Sequence, residues 1–222
     1  MRKENSYLKL KGAKNYSKMI TVIFMLVCFF FPNQPAHAVS PLEKLKEGID
    51  RLVVILEDKE WIQTHTRGEL IKRLQEAAHE SFDWEGIARR SLGLYWKKRS
   101  QEEKNKFTDL FTKLLNKTYT GKLVDSYAGE KVIYDKEIVD GNRAFAETQI
   151  VNKQGKEISV GYRLIMKENN WRVYDVIIEG VSMLKNYRVQ FYSIIRRSSY
   201  EELIRILRAK QLNGLEVSPA SK

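Results

Sequence analysis

The chain has 222 residues, a formal net charge of +11, three histidines and a single cysteine. One cysteine excludes a disulfide framework, and so few histidines leave no Cys/His zinc set. The basic balance points to phosphate-bearing partners, either nucleic acid or anionic lipid, with an ordinary solvated basic face as the alternative.

Met1 to Lys18 carries six Lys or Arg against one Glu, Met19 to Phe31 is a 13-residue apolar run, and Ala36-His37-Ala38 follows Pro32 and Pro35. This order of basic, apolar and small-x-small segments is that of a secretory signal peptide, with cleavage expected after Ala38. A retained anchor needs about 20 apolar residues, more than this run supplies. A lipoprotein attachment is disfavoured because Cys28 lies between bulky Val27 and Phe29. The expected organisation is therefore a cleaved leader over 1–38 and one exported domain over 39–222. Losing five net positive charges with the leader lowers +11 to +6, and export makes nucleic acid the weaker partner. Without cysteines the domain must hold together by its core.

Ser40, Pro41 and Glu43 form a capping box, and Leu42, Leu45, Ile49, Leu52, Val53 and Leu56 repeat at helical spacing behind it. A second helix is predicted over Gly68 to Glu80 and a short third one after Asp83, with Trp84, Ile87 and Ala88 inward. Ser100 and Glu103 cap a longer helix that carries Phe107, Leu110, Phe111, Leu114 and Leu115 towards Tyr127. Around Gly129 the period changes to alternation. Val132 to Val139, Arg143 to Val151, Glu157 to Lys167 and Trp171 to Glu179 read as four strands joined by turns at Asp140-Gly141-Asn142, Gln154-Gly155 and Asn169-Asn170. Such short connections imply an antiparallel meander. In the third strand Ile158, Val160, Tyr162, Leu164 and Met166 share one face, opposite Ser159, Gly161, Arg163 and Lys167. Helical spacing returns with Leu184, Tyr187, Phe191, Ile194 and Ile195. Ser199 and Glu202 cap a last helix with Leu203, Ile206 and Leu207, and the polar end from Asn213 is expected to fray. The expected fold is α+β: a curved four-stranded antiparallel sheet packed by helices from both ends of the chain and enclosing an apolar pocket.

No glycine-rich phosphate loop, GxSxG elbow or HExxH pair is present. His65 and His79 are the only histidines after residue 38. The best catalytic candidates are Asp175 and Glu179, four residues apart and hence expected on one strand face, where an exported cone-fold enzyme would use one as a general base on a small apolar substrate. The bland alternative has Asp175 bound by backbone or Arg partners and Glu179 at the start of the helix after Gly180. Lys97, Lys98, Arg99, Arg196 and Arg197 are open to two readings, contact with acidic partners or headgroups and plain solvation.

FDWEGIARRSLGLYWKKRS (82–100), FTDLFTKLLNKTYTGKL (107–123) and WRVYDVIIEGVSMLKNYRVQFYSII (171–195) resemble the MlaC, or toluene-tolerance, family, with YDVIIEGVS and NYRVQF the most specific pieces. The likeness extends over about residues 42 to 210. One departure is Gly161, where many members have Asp. The resemblance implies a periplasmic, non-enzymatic phospholipid carrier without cofactor. Such a carrier would work between an outer-membrane lipoprotein complex and an inner-membrane ATP-driven, ABC-type lipid transporter, maintaining outer-membrane lipid asymmetry. It implies diacyl phospholipid as ligand and places Val181 of EGVS beside the acyl tails, with Tyr174, Ile178, Leu184, Tyr187 and Phe191. Tyr162, Leu164, Leu114 and Tyr119 are added from face and period. Val181→Glu is then expected to empty the pocket.

Overall fold

The computed structural model describes residues 39–213; the expected leader, Cys28 and the segment after Asn213 lie outside the described residues. Seven α-helices are found among the described residues. The first four are α1 (Pro41–Glu57), α2 (Lys59–Thr64), α3 (Arg67–His79) and α4 (Trp84–Leu92). A 3-10 turn, Gly93–Lys98, leads into α5 (Gln101–Ser126). After the strands come α6 (Met183–Arg197) and α7 (Tyr200–Asn213). No described helix is long and apolar enough to cross a membrane.

Local chemistry sets the helix starts. Ser40 with Glu43 and Ser100 with Glu103 both close as reciprocal capping boxes, satisfying first-turn N–H groups. The second helix begins one residue earlier than predicted because Thr66 and Glu69 make a third such box, and α2 was not anticipated from the sequence. Asp83 caps α4 by accepting from the Gly86 N–H at 3.0 Å. Gly86 is required there, since a Cβ would fall 1.7 Å from the Asp83 carboxylate.

The sheet runs in the order β1-β2-β3-β4-β5, antiparallel throughout, with β1 Lys131–Asp140, β2 Arg143–Val151, β3 Glu157–Lys167, β4 Asn170–Ile178 and β5 Val181–Ser182. It thus has five strands rather than the expected four. The fifth is a two-residue return beyond Glu179-Gly180, too short to carry a readable alternation. Glu168 and Asn169 both adopt positive φ, giving the tight turn that hands β3 to β4.

One irregularity decides what the fourth strand presents. Arg163 pairs with Asp175 but Leu164 pairs with Val173, so Tyr174 is an inserted residue and the facing of β4 changes across it. Trp171 and Val173 face α1 together with Leu164 and Ala146, while Tyr174 packs with the helices. The other edge of β4 is covered by residues 81–83, through Val173 N–H to the Ser81 carbonyl and Asp83 N–H to the Val173 carbonyl. Gly161 sits beneath the Phe145 ring, whose atoms would lie 2.7 Å from an added Cβ, which accounts for glycine at this position of the chain.

Burial separates into three clusters. The largest is helical: Ile87, Leu92, Phe107, Phe111, Leu114, Leu184, Tyr187, Phe191, Leu203 and Leu207 interlock between α4, α5, α6 and α7. Phe111 meets Phe191 and Tyr187 edge-on, each at 5.0 Å between centroids. A second cluster joins Leu45 of α1 to the sheet, and a third ties α1 to α3 through Ile55, Leu70 and Leu74.

Candidate functional site

Between α1 and the sheet the packing leaves a cavity of about 530 Å³. Leu45, Ile49, Leu52, Val53 and Leu56 form its helical wall. Across from them stand Val132, Ile150, Ile158, Tyr162, Leu164, Trp171 and Val173 of the sheet, and Ala78, Phe82, Leu123 and Tyr127 complete the lining. The sheet residues reach one face because Val132 pairs with Ile150, Ile150 with Ile158, and Leu164 with Val173 across neighbouring strands. From Leu45 to Leu56 the helix rises about 16 Å at 1.5 Å per residue, so the space is a long slot rather than a round pocket. Lys44, Ser81, Ser126, Glu130 and Asn152 are the polar members of its lining.

Two surface ties lie near the Tyr127 side of this slot. The Tyr127 hydroxyl donates to a Glu57 oxygen at 2.8 Å, joining the end of α5 to the end of α1. Arg67 of α3 binds Asp125 through two nitrogens, at 3.0 and 2.8 Å. Burial, then the bond to Glu57 and the charges of Glu57 and Glu130, push the Tyr127 phenol up to about 12.

The residues singled out from the sequence fall in four places. Tyr162 and Leu164 line the cavity. Ile178 and Val181 share its sheet face without lining it: Val160 pairs with Ile178 and Ile178 with Val181, while Val160 lies between Ile158 and Tyr162 in alternation. Exposure rises along this row towards the sheet edge, from 4% at Val160 to 45% at Ile178 and 63% at Val181. Leu114, Leu184, Tyr187 and Phe191 are buried in the helical core, with Tyr119 beside the Tyr187 hydroxyl. Tyr174 packs against that core with the Arg90 guanidinium 4.0 Å above its ring. The α1 wall was read as an apolar helix face but not as a binding surface, because a stripe of this spacing serves a filled core and a cavity wall equally well.

The carboxylates lie elsewhere. Asp175, with no exposed surface, accepts from Arg163 at 2.9 Å, from the Ser182 hydroxyl at 2.7 Å and from the Leu184 N–H at 3.0 Å. It therefore joins β4 to the first turn of α6. Glu179 does not share its surroundings, since β4 ends at Ile178 and Glu179 turns into positive φ, accepting from the Ser159 N–H at 2.7 Å. Neither lines the cavity. Asp83, 3% exposed, accepts from Lys167 at 2.6 Å and Arg90 at 3.3 Å. Burial pushes its pKa up, but these cations and the Gly86 N–H together hold it below the usual aspartate value. His65 stacks on Trp61 and His79 on Trp84, and no group of three or more His, Cys, Asp or Glu among the described residues is placed to hold a metal ion.

The family model described as "MlaC protein" matches residues 46–209, most of the chain and nearly all of the described domain. The chain belongs to the MlaC family. Among relatives, it is 25% identical over 201 residues to the intermembrane phospholipid transport system binding protein MlaC of Haemophilus influenzae, an alignment covering 84% of this chain and 90% of that protein. It is 26% identical over 118 residues to the toluene tolerance protein ttg2D of Pseudomonas putida, covering 52% of this chain and 54% of that protein. In three dimensions it resembles a phospholipid-binding protein of Ralstonia solanacearum solved in complex with a phospholipid, with a TM-score of 0.67 and 22% identity. That match covers 76% of this chain and 95% of the solved one. The last likeness establishes a shared fold.

Proposed function

We propose that this MlaC-family chain is a periplasmic phospholipid carrier and not an enzyme, taking acyl chains into the slot between α1 and the sheet while the headgroup stays in water. The single observation that carries the reading is the shape and lining of that slot: long and walled mainly by aliphatic and aromatic side chains, with few polar groups. Exposed methylenes cost about 0.8 kcal/mol each, so one sixteen-carbon chain costs on the order of 12 kcal/mol in water. A protein that moves a lipid between membranes must cover that surface, and it needs no acid, metal or nucleotide to do so. The names of the relatives, a phospholipid transport binding protein and a toluene tolerance protein, support the same reading.

Tyr162 and Leu164 are assigned to the acyl chains as part of the sheet wall. Ile178 and Val181 continue that wall to the sheet edge and form the route by which a longer or second chain leaves the slot. Leu114, Leu184, Tyr187 and Phe191 support this wall from the helical core. The carrier works between an outer-membrane lipoprotein complex and an inner-membrane ATP-driven lipid transporter, after export and removal of residues 1–38.

Transfer of a labelled phospholipid from donor to acceptor vesicles tests the carrier role. The protein accelerates transfer and Ile158→Glu, which sets a carboxylate in the sheet wall, abolishes the acceleration. Equal rates with the two proteins contradict the assignment.

A further inference from the structure

Away from the slot, one surface combines unpaired positive charge with apolar side chains that stand clear of the protein. Lys185, Arg188, Val189, Tyr192 and Arg196 fall at i, i+3, i+4, i+7 and i+11 along α6 and so share one side of it. The helix sequence, MLKNYRVQFYSIIRR, contains no acidic residue. The 3-10 turn packs onto this side. The Tyr192 hydroxyl accepts from the Leu94 N–H at 2.9 Å, Tyr95 meets the Tyr192 ring edge-on at 4.9 Å, and Arg188 Nε donates to the Arg90 carbonyl at 2.7 Å. Gly93 allows the approach, with φ at +50° and a position where a Cβ would lie 2.3 Å from the Tyr192 oxygen. The result is a projecting Leu94, 72% exposed, held to Tyr192, which lies one helical turn from Val189, 62% exposed. Lys97, Lys98, Lys185, Arg188, Arg196 and Arg197 make no ion pair among the described residues, although pairs form over the rest of the surface.

We propose that this surface docks the protein onto an anionic phospholipid bilayer, with Leu94 and Val189 entering the interface, Tyr95 and Tyr192 at headgroup depth, and the cations on lipid phosphates. Two features favour a bilayer over an acidic protein face. Isolated projecting aliphatic side chains need a matching pocket on a protein, whereas a bilayer accepts them wherever they fall. Tyrosines between apolar tips and basic side chains match the layering of a membrane interface, where each Lys or Arg near an anionic leaflet adds attraction. None of these residues lines the slot, so docking is separable by mutation from lipid uptake and goes beyond the carrier reading.

Flotation of the protein with phosphatidylcholine vesicles containing about a quarter phosphatidylglycerol, against pure phosphatidylcholine vesicles, tests the proposal at low and high salt. The protein floats with the anionic vesicles at low salt and is released as salt rises. Lys97→Gln with Arg188→Gln weakens binding on the order of 25-fold, about fivefold for each cation removed, and Leu94→Ser with Val189→Ser weakens it roughly fivefold. All four positions are exposed and these variants keep the wild-type circular dichroism spectrum. Ile49→Trp, which obstructs the slot, floats like the wild type. Loss of flotation in Ile49→Trp would assign the binding to lipid uptake and overturn the proposal. So would equal flotation on neutral vesicles, indifference to salt, or wild-type flotation of the surface variants. Absence of flotation on anionic vesicles also overturns it, leaving an acidic protein face as the partner of this surface.

Discussion

The hydroxyl of Tyr127 donates to the carboxylate of Glu57 across 2.8 Å, and so fastens the end of α5 to the end of α1 on the Tyr127 side of the slot. Both residues border solvent, so the bond contributes modestly to stability, about 0.5–1.5 kcal/mol. Its larger effect falls on opening. Tyr127→Phe keeps the ring in the lining and removes only the tie, so phospholipid release to acceptor vesicles speeds up severalfold with little change in the urea midpoint. A release rate equal to wild type would show that this side stays shut during exchange.

The row Val160, Ile178, Val181 leads from the slot to the sheet edge, and a charge at its outer end tests whether acyl chains travel along it. Val181 is exposed, so Val181→Glu folds like the wild type. Lipid occupancy in this variant falls, though less than in Ile158→Glu, where the carboxylate enters the lining. Occupancy equal to wild type would confine the chains to the space between α1 and the sheet.

Asp175 is bound by Arg163, Ser182 and the Leu184 N–H with no exposed surface, a junction rather than a reactive site. Asp175→Ala leaves the buried Leu184 N–H without its acceptor while the half-exposed Arg163 returns to water, so it lowers the urea unfolding free energy by about 1–3 kcal/mol. Ser182→Ala costs about 1 kcal/mol. A fully stable Asp175→Ala protein would contradict this structural role.

Asp83 couples the fold to acid. Its folded-state pKa is depressed, so the native state binds its proton less readily than the unfolded chain. Its contribution is therefore present above the ordinary aspartate value of 3.8 and is lost as pH falls through the lower folded value. Lys167→Met removes the 2.6 Å partner and raises the folded pKa, so the acid-unfolding midpoint moves to higher pH. An unmoved midpoint would mean that Arg90 and the Gly86 N–H hold the charge unaided.

Much of this architecture was legible because it follows local rules. Capping boxes at Ser40 and Ser100, the change of period near Gly129 and the short turns located helices and strands to within a residue or two. The inserted Tyr174 was not legible, because one extra residue changes facing without altering composition. Nor was the end of β4 at Ile178, after which Glu179 turns into positive φ and leaves the surroundings of Asp175. Leu184, Tyr187 and Phe191 were correctly legible as one helix face, but periodicity does not say what the face meets, and here it meets Phe107 and Phe111. The α1 stripe poses the converse case, an apolar face that borders empty space. Period 3.6 reports burial, and only the distance to the opposing sheet distinguishes a wall from a core.

Mass spectrometry of organic extracts from wild type and Ile158→Glu, purified without detergent and then incubated with phospholipid vesicles, tests the central claim most directly. The account predicts near-stoichiometric phospholipid in the wild type and at least a tenfold loss in Ile158→Glu, with both proteins folded. A folded wild type that stays empty, or equal occupancy in the two proteins, would contradict it.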